Sequence, residues 1–93
     1  MPQHILPPSE LDSRRRRAVF RANHRGMLEM DIVLGGFAER EIATLADEEF
    51  DEFERILEIS DNELIRWVTG ELPLPADRDT PLMRRIVAPA IRD

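Results

Sequence analysis

Few residues of this chain have the type and spacing that covalent chemistry needs. His4 and His24 are its only histidines, and neither sits in an HExxH-like pair that would bring two imidazoles to one metal. With no cysteine, there can be no disulfide, thiolate metal site or thiol nucleophile. Ser9, Ser13 and Ser60 lack the glycine-flanked elbow that exposes a nucleophilic serine. Glu29 and Asp31 stand two apart, so on a helix they point to different faces and cannot share acid and base work at one bond. Gly35-Gly36 lacks the GxGxxG spacing, no strand pattern precedes it, and no P-loop lysine exists. The residues argue against an enzyme and offer no catalytic, cofactor-binding or metal-ligating set.

The most informative stretch is Arg25-Gly26-Met27-Leu28-Glu29-Met30-Asp31. Its spacing predicts a helix starting around Arg25 to Met27. A glycine inside a helix costs about 1 kcal/mol relative to alanine. Its presence therefore implies a turn or the close approach of another backbone. Arg25 and Glu29, four apart, would share a helix face. Two readings stand level: an ordinary ion pair worth a few tenths of a kcal/mol, or a docking surface. In the second, bare backbone at Gly26 lies beside a guanidinium that can grip a partner's carboxylates or carbonyls.

Ninety-three residues suit one small domain. Residues 1–10, rich in proline, read as a flexible tail, and 11–93 as a single helical domain. No secretory-signal pattern or membrane-span-length apolar run is present, so the expectation is a cytoplasmic protein without membrane insertion. The net charge of −6 hides an asymmetry. Residues 1–25 carry six arginines against two acids, a net +4, while 39–63 carry eleven acids against two arginines, a net −9. This predicts two electrostatically distinct faces for partners. Arg14 to Arg17 invite a nucleic-acid reading, but the overall negative charge and the lack of interleaved aromatics favour a solvated face or a dock for an acidic protein.

The elements that must position these residues are helices. The first is predicted from Ser9 or Asp12 to about Ala22, burying Leu11, Ala18, Val19 and Ala22. Asn23 is predicted either to end it as a left-handed cap or to begin the next helix as an N-cap. Leu28, Ile32, Leu34 and Phe37 mark the apolar side of the second, which Gly35-Gly36 should kink or break before Ala38 to Leu45 resumes. Asp47-Glu48-Glu49 opens a third, with Phe50, Phe53, Ile56 and Leu57 as its core stripe and Asp51, Glu52, Glu54 and Glu58 as a solvated face. Ser60-Asp61-Asn62-Glu63 fits a capping box for a fourth, which buries Trp67 and stops at Gly70. Thr80-Pro81 starts a fifth, closed by Pro89. The fold class is all-α, a compact bundle of about five short helices.

At these residues the sequence resembles the succinate dehydrogenase assembly factor family: bacterial SdhE (also YgfY or CptB) and its mitochondrial counterpart. The carrying motif is Arg25-Gly26-x-x-Glu29, within Arg25-Gly26-Met27-Leu28-Glu29-Met30-Asp31. Phe37, Leu57-Glu58, Asp61, Leu64 and Trp67 follow in order, so the likeness covers roughly residues 18 to 88. The resemblance implies an assembly chaperone that binds the flavoprotein subunit of succinate dehydrogenase, and in some bacteria of fumarate reductase, and promotes covalent FAD attachment to it. It implies partner binding by Arg25, Gly26, Met27, Glu29 and Asp31. FAD would be carried by the partner and not bound stably here. The competing expectation is an antitoxin or regulatory module that sequesters a basic protein through the acidic helices.

Overall fold

The computed structural model describes residues 12–91, with backbone only for 89–91. The expected tail and Leu11 lie outside the described residues. Five helices follow one another: α1 Ser13–Ala22, α2 Leu28–Glu41, α3 Asp47–Ile56, α4 Asp61–Val68 and α5 Pro81–Ile91. Single 3-10 turns at Ile42–Thr44 and Ala76–Arg78 complete the order. The all-α bundle expected from the sequence is the fold.

Local chemistry sets most helix starts. The Asp12 carboxylate accepts the Arg15 N–H at 2.8 Å, Ser60 Oγ accepts the Glu63 N–H at 3.3 Å, and Thr80 Oγ1 accepts the Met83 N–H at 3.1 Å. Each satisfies one of the donors a helix start leaves unpaired. At α3 the Glu49 carboxylate reaches back to the Ala46 N–H at 3.0 Å, and three acids line the positive end of the helix. Thr69 caps α4, with the Gly70 N–H donating to Trp67 O at 3.2 Å.

Four boundaries differ from expectation. Asn23 has φ −93° and ψ −2°, so it is neither a left-handed cap nor the N-cap of α2. Its amide instead donates to Val19 O at 2.9 Å. Met27 is the N-cap of α2, which leaves Arg25 and Gly26 in the turn between α1 and α2 and not inside a helix. α2 runs unbroken through Gly35-Gly36. A Cβ at Gly35 would lie 2.2 Å from Asn23 Oδ1, so this glycine lets the end of α1 press against α2 without bending it. Finally, α5 continues past Pro89 to Ile91.

Phe53, Met30, Leu34, Leu64 and Met83 form the fully buried centre, and the Phe37 and Phe53 rings meet at 5.7 Å. Burying a side chain of this size contributes about 1.5–3 kcal/mol. The α3 stripe of Phe50, Phe53, Ile56 and Leu57 is buried as predicted, and Trp67 is core at 8% exposure. The apolar register of α2 is different. Met30, Leu34, Phe37 and Ala38 face inward, while Leu28 and Ile32 are 70% and 64% exposed.

The charge asymmetry is largely spent inside the molecule. Arg14 pairs with Asp51 at 3.1 Å and with Glu54, and Arg21 pairs with Glu58. Arg15, with a side chain 12% exposed, donates to Ile42 O at 2.6 Å and Leu45 O at 2.9 Å and meets Asp47 at 3.2 Å. The acidic side of α3 thus faces the arginines of α1 across a seam. The expectation of separate basic and acidic faces for partners is corrected accordingly.

Candidate docking surface at the Arg25-Gly26 turn

Gly26 adopts φ +90°, a region that L side chains rarely occupy. A Cβ there would meet nothing within 4 Å. Of the two reasons for a glycine, turn geometry is the one the fold needs; among the described residues nothing packs on it. Gly26 is exposed.

Arg25, beside it, is turned inward. Its Nε donates to Asp61 Oδ1 at 2.8 Å, Nη1 to Leu57 O at 2.5 Å and Nη2 to Ile59 O at 2.5 Å. Leu57 and Ile59 lie where α3 ends, and a helix end leaves carbonyls without intrahelical donors. Asp61 opens α4. One guanidinium therefore satisfies the α3 end, anchors the α4 start and ties both to the α1–α2 turn. The Arg25 N–H donates to Asp31 Oδ1 at 2.6 Å, which fixes the turn from its other side.

The five residues expected at a docking surface are thus divided by the fold. Gly26 and Glu29 are exposed, and Glu29 has no ion pair among the described residues. Arg25 and Asp31 hold the turn in shape, and Met27 packs half-buried against the core. Arg25 and Glu29 form neither the i, i+4 ion pair nor a shared helix face, because α2 begins only at Leu28.

Around the turn lie further exposed groups. Leu28 and Ile32, expected on the apolar side of α2, are among them. Phe20, 61% exposed, stacks on His24 with ring centroids 3.9 Å apart. His24 Nδ1 lies 2.7 Å from Phe20 O; since a carbonyl only accepts, this nitrogen carries the hydrogen. Both pairs, 20/24 and 28/32, have i, i+4 spacing, which marks each as one row on a helix but not as an exposed one.

No group of three or more His, Asp or Glu side chains among the described residues could hold a metal ion. A cleft of about 360 Å³ lined by Asn62, Glu63, Arg66, Trp67 and Leu72 lies beside α4. It lacks the glycine turn that a dinucleotide pyrophosphate uses. No helix among the described residues is long and apolar enough to cross a membrane.

Five short helices pack around one small core, and an exposed glycine turn is braced from below by Arg25. Residues 16–90 match the family model described as "Flavinator of succinate dehydrogenase" (Sdh5), and the chain belongs to that family. It is 52% identical over 77 residues to the FAD assembly factor SdhE of Acetobacter pasteurianus, covering 83% of this chain and 71% of that one. It is 40% identical over 60 residues to the mitochondrial succinate dehydrogenase assembly factor 2 of Mycosarcoma maydis, covering 64% of this chain and 25% of that one. Against the mitochondrial assembly factor 2-A of Drosophila yakuba the identity is 29% over 87 residues, with 90% and 54% covered. The chain thus spans about a quarter to a half of these mitochondrial relatives' length.

Proposed function

We propose that this chain is a cytoplasmic assembly chaperone that docks on the flavoprotein subunit of succinate dehydrogenase, or of fumarate reductase, and promotes covalent attachment of its FAD. The observation that carries the reading is the Arg25–Gly26 turn. Gly26 there is exposed and bare of side chain, and Arg25 braces the turn with four hydrogen bonds, in a chain whose family is described as flavinators. Such a turn loses little freedom on binding, which favours affinity. FAD and the residue that bonds it belong to the partner. The chain's role is to hold the flavoprotein where those two groups meet, and no catalytic residue is assigned to it.

The antitoxin reading rested on free acidic helices. It loses ground because Asp51, Glu54 and Glu58 already pair with α1. Co-expression with the flavoprotein subunit tests the proposal: covalent flavin fluorescence of the denatured subunit should rise with this chain and stay at background with Gly26→Arg. Equal fluorescence with and without the chain rules the proposal out.

A further inference from the structure

α2 carries two glycines with opposite meanings. Gly35 is required, because Asn23 occupies the space a Cβ would need. Gly36 is not. Among the described residues, and apart from the helix's own backbone, the one atom near its Cβ position is Arg40 Nη1 at 3.2 Å, the far end of a flexible side chain. Glycine is the poorest helix former after proline, so at position 36 it weakens α2 with no return inside the fold.

Gly36 leaves the outward side of α2 without a side chain of its own, and only the flexible Arg40 guanidinium lies over it among the described residues. Leu28, Ile32, Gly36 and Arg40 follow at intervals of four, the row that forms a ridge on a helix surface. Leu28 and Ile32 are exposed, Gly36 is half-exposed and Arg40 exposed. Arg40 has no ion pair among the described residues. The ridge is about 18 Å long. Swinging the Arg40 guanidinium off Gly36 and onto a partner opens a gap that admits a second backbone, and with an exposed Leu and Ile beside it the ridge suits helix-on-helix packing.

We propose that this ridge receives an apolar helix of the flavoprotein, with Ile32 and Gly36 at the crossing and a carboxylate of that helix on Arg40. The inference rests on the chaperone reading above and extends its surface from the Gly26 turn along α2. Two arguments select the partner over a second copy of this chain. A strip of this length offers on the order of 200 Å² a side, far short of the roughly 800 Å² of a stable interface, so it belongs to a larger surface. Leu28 lies two residues beyond Gly26, which makes the ridge continuous with the turn. Glu29 at the near end and Arg40 at the far end, both exposed, offer a partner one acceptor and one donor.

The test measures binding of the full chain to the FAD-loaded flavoprotein subunit by calorimetry, with melting of each variant alongside. Gly36→Ala should raise Tm by roughly 4 °C. Gly36→Leu and Ile32→Glu should weaken binding roughly tenfold or more while keeping the wild-type fold. Glu48→Ala, on the first turn of α3, should bind as wild type. The inference is overturned if Gly36→Leu and Ile32→Glu bind as tightly as wild type, or if Gly36→Ala lowers Tm. It is also overturned if sedimentation shows a dimer that Ile32→Glu breaks while flavoprotein binding stays intact. Loss confined to these variants supports it. No binding by the wild type defeats both the inference and the chaperone reading, whereas variants that bind normally defeat the inference alone.

Discussion

Arg25 and Asp61 form the most enclosed ion pair among the described residues, at 2.8 Å with side chains 10% and 18% exposed. Removing one partner of such a pair leaves the other charge part-buried and unpaired, and here it also strips Leu57 O and Ile59 O of their donors. Arg25→Ala should therefore cost about 3 kcal/mol of stability. Arg25→Lys should recover only part of it, since an ammonium cannot copy the planar fork that meets three acceptors. Urea unfolding reads both. A loss below about 1 kcal/mol for Arg25→Ala would show that the bracing is nominal.

The same relationship explains what the sequence could and could not reveal. The helices were legible because their cues are local: Ser60 and Thr80 cap as expected, and the Phe50–Leu57 stripe is buried. The motif marks Arg25 as important, but the partners of its guanidinium lie 32 to 36 residues away, and no local pattern points to them. The register of α2 failed for a different reason. Leu28 and Ile32 make one apolar row, Met30, Leu34 and Phe37 another, and spacing alone cannot say which faces the core. Similarly, two adjacent glycines read as a break because nothing in the sequence shows that Asn23 fills the space over Gly35.

That contact gives a second prediction. Gly35→Ala places a methyl group 2.2 Å from Asn23 Oδ1, and overpacking of this kind costs about 1–3 kcal/mol. Asn23→Ala removes the obstacle along with its bond to Val19 O. The double variant should be more stable than the two single losses added together. Strict additivity in denaturant unfolding would mean that the two side chains do not compete for that space.

Within the arginine run, only the inward residue should matter strongly to stability. Arg15→Ala deprives Ile42 O and Leu45 O of their donor and should cost about 1–3 kcal/mol. Arg17, exposed on α1, should tolerate alanine within about 0.5 kcal/mol. Thermal melts of the two variants side by side decide it, and similar losses would contradict the assignment.

Asp79 and Arg84 give the pH dependence its sign. Hydrogen bonds from Arg84 at 2.5 and 2.9 Å hold the Asp79 carboxyl below its ordinary value of 3.8. Because the folded-state value is depressed, the pair's contribution is fully present above 3.8 and is lost as pH falls through the lower folded value. Both groups face solvent, so added salt should shrink the effect. A carboxyl titration followed by NMR should show Asp79 protonating at a lower pH than free aspartate. In Arg84→Ala the midpoint should return upward toward 3.8. An unchanged midpoint in that variant would mean the guanidinium is not what holds the carboxylate ionised.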